Sequence, residues 1–109
     1  MGIFLRHGHT HSVFQLTGRT FDHRHLVATT TSRPIIRFDG HHVHRVMSLT
    51  SFNRDHAHAV WTTTRRAIHI GNGLHFHWIR TITSRDFDHR HVFWAPTLVA
   101  PNIRRFDVL

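Results

Sequence analysis

Apolar and polar residues alternate along much of this chain with a period of two, which is the period of a β-strand. The alternation is clearest from Ala67 to Ile79. Ala67-Ile68-His69-Ile70 runs into Gly71-Asn72-Gly73 and then into Leu74 to Ile79, which predicts a β-hairpin. Leu74, Phe76 and Trp78 fall on one face of the second strand, and His75 and His77 on the other. Earlier in the chain, Ile35 to Phe38 leads into Asp39-Gly40, a type I′ turn signal, and then into His41 to Met47. Further strands are predicted from Asp55 to Trp61 and from Asp88 to Trp94. Good helix formers are scarce, while Thr, Val, Ile and Phe are plentiful. The predicted fold class is all-β.

The pattern recurs. Residues 8–40, 41–73 and 74–106 align without gaps, and the first two copies agree at 15 of 33 positions. His-x-His pairs mark the period, beginning at His9, His23, His42, His56, His75 and His89, in steps of 14, 19, 14, 19 and 14. The first residues look like the tail of a preceding copy. One domain over 1–109, built of three repeats, is expected. Repeats with unprotected edges either stack or close on themselves, and closure removes the edges. Closure around a pseudo-threefold axis, as a β-prism or a small trefoil-like barrel, is the expected architecture.

Composition narrows the chemistry. There is no Cys, so disulfides and thiolate sites are excluded. No apolar run is long enough for a membrane span, and no signal-peptide pattern is present. The net charge of +8, carried by Arg with no Lys, favours a polyanion such as nucleic acid as partner. Arg65-Arg66 and Arg104-Arg105 are the adjacent pairs. Glu and Tyr are also missing, while His numbers 15. So skewed an alphabet points to design or an unusual coding origin. Arg6-His7-Gly8-x-Thr10 resembles the phosphate-accepting motif of histidine phosphatases. That family needs helices to place its other groups, and no helical period occurs here, so no enzyme is expected.

Each copy also carries a degenerate sugar-site signature. It reads Thr20-x-Asp22-x-Arg24-x-Leu26-x-Ala28, Asn53-x-Asp55-x-Ala57-x-Ala59-x-Trp61 and Asp86-x-Asp88-x-Arg90-x-Val92-x-Trp94. In spacing this resembles the Gln-x-Asp-x-Asn-x-Val-x-Tyr motif of the bulb-type mannose-binding lectins. The resemblance implies a β-prism II fold and carbohydrate binding. In that reading, Asp55 with Trp61 and Asp88 with Trp94 bind the sugar, the Asp accepting from hydroxyls and the indole packing on the ring. Asp22, with only Ala28, would be inactive. The expected partner is a glycan or a polyanion, and homo-oligomerisation stays open.

The imidazoles form the second constellation. His-x-His on a strand places both rings on one face, as β-scaffolds present metal ligands. A threefold arrangement would gather His9, His42 and His75 at one site and His23, His56 and His89 at another. No cofactor is required by the sequence; zinc or nickel on these histidines is the alternative.

Overall fold

The structure is a computed structural model and describes residues 9–53 and 55–101. It is all-β: among the described residues there is no helix, and hence none long and apolar enough to cross a membrane. The strands are β1 (Ser12–Leu16), β2 (Leu26–Thr30), β3 (Ile35–Ile36), β4 (His42–Val43), β5 (Arg45–Leu49), β6 (Ala59–Thr63), β7 (Ala67–Gly71), β8 (Leu74–Ile82), β9 (Val92–Pro96) and β10 (Ala100–Pro101). All pairings are antiparallel. β1 pairs β2, β3 pairs β4 and β5 pairs β6, while β8 is flanked by β7 and β10 and also pairs β9.

The predicted hairpin at Gly71 is present. Asn72 and Gly73 both take positive φ, 55° and 74°, as a type I′ turn requires. The Asp39-Gly40 turn differs from expectation. There only Gly40 is left-handed, at φ 88°, and its N–H closes a turn onto Arg37 O at 2.9 Å. A turn ended by a single left-handed glycine replaces the type I′ turn, with the backbone N–H of His41 donating to Asp39 Oδ1 at 3.1 Å.

Three hairpins share one register. Ser12 faces Thr30 across β1/β2, Arg45 faces Thr63 across β5/β6, and Trp78 faces Pro96 across β8/β9. The expected closure into a prism or barrel is not met as one continuous ladder: the sheets stay separate. The hairpins are instead tied by single backbone bonds. Ser51 N–H donates to Leu26 O, Ser84 N–H to Ala59 O and Gly18 N–H to Val92 O, at 2.7–2.8 Å. The carbonyls of the same Ser51, Ser84 and Gly18 accept from histidine side chains.

The interior explains why. Val13, Val27, Val46, Val60, Ile79, Phe93 and Ala95 form the apolar core cluster. Around it, eleven histidines and six threonines are buried, against nine apolar residues. Along β8 the imidazole face points inward, His75 and His77 being 0 % exposed, whereas Leu74, Phe76 and Trp78 are half-buried. Most large apolar side chains of the outer faces, including Phe14, Leu49 and Trp61, are exposed. Hydrophobic burial alone would turn these strands over, so their facing must be held by what the histidines do together.

Candidate metal centres

Each His-x-His pair sits where a chain segment enters a strand or is about to. Alternation sends both rings inward, and the intervening residue (Thr10, Arg24, Val43, Ala57, Phe76 or Arg90) elsewhere. Two groups of six result. His9, His11, His42, His44, His75 and His77 form one, and His23, His25, His56, His58, His89 and His91 the other. Each draws one pair from every repeat. In both, one ring nitrogen per residue lies within 4.8 Å of the other five. His9, His42 and His75 lie together, as do His23, His56 and His89, in the two groups expected from their spacing. The second histidine of each pair joins them, which that expectation did not include. The signal was available, since residues two apart on a strand share a face.

The rings are ordered. In the first group, neighbours meet edge to face with centroids 4.5–5.2 Å apart. The pairs left opposite one another are His9 with His77, His11 with His42, and His44 with His75. In the second group the centroids are 4.7–5.1 Å apart. There the opposites are His23 with His58, His25 with His89, and His56 with His91. Six bodies in which each touches every other except one opposite are the vertices of an octahedron.

Distances agree. Nε2 atoms of neighbouring rings lie 3.0 Å (His11–His75), 3.2 Å (His42–His75), 3.3 Å (His23–His56), 3.2 Å (His56–His89) and 3.3 Å (His58–His89) apart. An octahedron with such edges has its centre about 2.1–2.3 Å from each vertex, the edge divided by √2, close to the roughly 2.0–2.1 Å of a zinc–imidazole bond.

The second histidine of every pair is fixed from behind. Nδ1–H of His11, His44 and His77 donates to the carbonyls of Leu98, Ser32 and Arg65 at 2.8 Å. Nδ1–H of His25, His58 and His91 donates to Ser51, Ser84 and Gly18 at 2.8–2.9 Å. A carbonyl can only accept, so Nδ1 carries the proton and Nε2 presents its lone pair inward. This is the outer-shell arrangement that orients metal-bound imidazoles.

Buried threonines complete it. Thr17, Thr31, Thr50, Thr64, Thr83 and Thr97 accept from the backbone N–H of His25, His11, His58, His44, His91 and His77 at 2.9–3.1 Å. Five of these hydroxyls donate to the next residue's carbonyl, the same oxygen that receives an imidazole Nδ1–H. Around the second group, His89 Nδ1 lies 3.0 Å from Phe87 O, and Asp86 Oδ2 stands 3.3 Å from His58 Nδ1.

What remains unmet lies at the centres. Nε2 of His9, His25, His44, His77 and His91 is buried without a hydrogen-bond partner. An orphaned buried polar atom costs about 1–3 kcal/mol, and here the orphans are lone pairs converging on two points. Protons do not readily supply the missing charge. Burial first, and then the charge of neighbouring imidazoles, hold His9 and His42 at a pKa of about 3. Burial also brings His77 to about 3 and His44 to about 4, against the raising effect of their carbonyl bonds. It lowers His11, His23, His25, His58 and His91 as well. A divalent cation held by neutral imidazoles would satisfy the converging lone pairs of a group at once.

The residues expected to bind sugar lie elsewhere. Asp55 and Asp88 are exposed, in tight turns at φ 67°, where an Asp is tolerated in the left-handed region. Trp61 and Trp94 stand outward on β6 and β9, 73 % and 62 % exposed. Trp94 faces Trp78 and Arg80, 6.1 Å from the Trp78 ring and 5.4 Å from the Arg80 guanidinium. Arg6, His7, Gly8 and the Arg104-Arg105 pair lie outside the described residues.

Residues 5–99 match the model of a family described as YmaF, spore germination protein GerY/YamF. No curated protein and no solved structure matches the chain. The bulb-type lectin resemblance is therefore corrected: the family that matches is a different one. The physical reason lies in the interleaved positions of the motif. They carry His23 and His25, His56 and His58, and His89 and His91, which form an imidazole cluster.

Proposed function

The chain belongs to the YmaF family of spore germination proteins, and on that premise we propose that it is a non-enzymatic metal-binding protein holding two divalent transition-metal ions, one in each group of six histidines. The observation that carries this reading is the octahedral order of twelve imidazoles whose Nε2 lone pairs converge. Imidazole suits zinc, copper, iron and nickel. Structural zinc is almost always four-coordinate and tetrahedral, and copper(II) favours a tetragonal set. Six equivalent nitrogens therefore favour nickel(II), iron(II) or cobalt(II) over zinc. Six protein ligands leave no open coordination position for a substrate, which supports a structural or storage role over catalysis. The family's role in germination is the setting we infer for it.

The same reading gives the fold its finer form: three repeats gathered about one axis passing through both centres, as a single folded unit. The bonds that run from the third repeat back to the first, Gly18 N–H to Val92 O and Leu98 N–H to Ser12 O, support it. So does the contribution of one His-x-His pair per repeat to each centre.

Equilibrium dialysis of the purified chain against nickel(II) near pH 8 is the test. Two ions should be retained per folded chain, and zinc at equal concentration should displace neither. Retention that is no tighter than that of the urea-unfolded chain would reduce the histidines to an adventitious sink and remove the proposal.

A further inference from the structure

The threefold repeat supplies its own control. Many positions of the metal centres and the core carry the same residue, or one of the same kind, in all three copies, such as Val13, Val46 and Ile79, or Thr17, Thr50 and Thr83. One surface seam departs from this pattern. Where the segment before β7 meets β8 and β9, Arg65, Trp78, Arg80 and Trp94 line one cleft of about 170 Å³. Arg65 and Arg80 also line an adjoining cleft of about 590 Å³ with Ile82 and Val92. One repeat earlier, the corresponding four residues are Ser32, Arg45, Met47 and Trp61. At the remaining seam they are Leu98, Ser12, Phe14 and Ala28. The fold does not require two arginines and two tryptophans together, because it is built twice without them.

The geometry is specific. The backbone N–H of Arg65 donates to Trp78 O at 2.9 Å, which fixes the start of the Arg65 side chain beside that indole. Arg80 faces Trp94 across the β8/β9 ladder and lays its guanidinium 5.4 Å from the ring centroid. The two indoles meet at 61°. Among the described residues, the ion pairs within reach are histidine–aspartate pairs, and no carboxylate pairs with Arg65 or Arg80. Two cationic forks thus share one cleft with no carboxylate partner among the described residues, beside aromatic surface that is open to solvent.

We propose that this seam binds a nucleotide unit, its base packed on the Trp78–Trp94 surface and its phosphate held by the forks of Arg65 and Arg80. The guanidinium matches phosphate geometry, and indole stacking is the sequence-tolerant element of single-strand recognition. A neutral glycan would use the rings and leave both charges unmet. A polyanion without bases would use the arginines and leave the rings exposed. The net charge of +8 attracts either source of the unit, a free nucleotide or a single strand.

The test uses the metal-loaded protein and three probes followed by tryptophan fluorescence and competition: a ten-nucleotide single strand, a nucleoside 5′-monophosphate, and polyphosphate. The variants are taken from the chain itself: Arg65→Ser with Arg80→Met, as in the second repeat, and Trp94→Ala, as in the first. Since the other copies fold with these residues, metal content should stay at that of the parent. The expected result is oligonucleotide binding that is weakened about tenfold or more by either change, with a shallower salt dependence for the arginine variant. Monophosphate binding as tightly as the strand would identify the free nucleotide as the source; a strong preference for the strand would identify nucleic acid. Polyphosphate competing as well as the oligonucleotide, or both variants binding like the parent, would show a general basic surface and overturn the proposal.

Discussion

Metal-free protein is expected to be folded near pH 8 and to lose most of its stability by pH 5. Nine histidines of the centres, His9, His11, His23, His25, His42, His44, His58, His77 and His91, are bases whose folded pKa lies below the ordinary 6.5. Between the two values, the unfolded chain binds protons that the folded chain refuses. Stability is therefore fully present above about pH 6.5 and falls as the pH drops toward the folded values, about 3 for His9, His42 and His77 and about 4 for His44. At pH 5 each such group favours unfolding by about 2 kcal/mol. Four of them approach the roughly 5–15 kcal/mol that holds an ordinary domain together. Salt should restore only part of the loss, because it screens the repulsion among exposed cations better than it relieves a buried group. Nickel(II) should raise the melting temperature at pH 8 by tens of degrees and steepen the acid transition, since protons and metal compete for the same nitrogens. Thermal melts with and without metal at pH 8 and pH 5 check this. A melting temperature unchanged between the two pH values would mean that the imidazoles are solvated.

The second large effect concerns single ligands. His44→Ala should abolish one metal site and spare the other, because His44 is 0 % exposed and belongs to one group of six. The variant also removes one of the two donors to Ser32 O and leaves it the Thr31 hydroxyl. His58→Ala should do the same at the second centre. The expected stoichiometries are one ion for each variant and none held tightly by the double variant. Losing an ion present at 1,000 times its Kd forfeits about 4 kcal/mol, so each variant should melt well below the parent in metal and closer to it without. Competition with a chelator of known affinity reads the stoichiometry. If His44→Ala weakened both sites equally, the two groups would be one exchanging pool rather than separate centres.

Much of this architecture was legible in the sequence, and the exceptions are instructive. The hairpin at Asn72-Gly73 and the gathering of His9, His42 and His75 follow from spacing, since turns and face alternation are local. What alternation does not give is which face turns inward. Along β8 an apolar face and an imidazole face compete, and intuition buries Phe76 and Trp78. The structure buries His75 and His77, because the imidazoles from the repeats meet and are held by carbonyls from neighbouring hairpins. That network is long-range and invisible in any one strand. The expected sugar ligands among the aspartates are Asp55 and Asp88. Asp55 and Asp88 are turn residues at positive φ, each one position before an inward-facing histidine.

Nickel K-edge X-ray absorption on the loaded protein addresses the central claim most directly, because it counts the ligands and identifies them. Two centres of six imidazoles predict a single first shell of six nitrogens at about 2.1–2.3 Å, the radius set by the Nε2 separations of 3.0–3.3 Å, with the outer-shell scattering of imidazole rings at full strength. A shell of four or fewer imidazoles completed by water oxygens would contradict it, and the twelve histidines would then be a packed core and not a pair of metal centres.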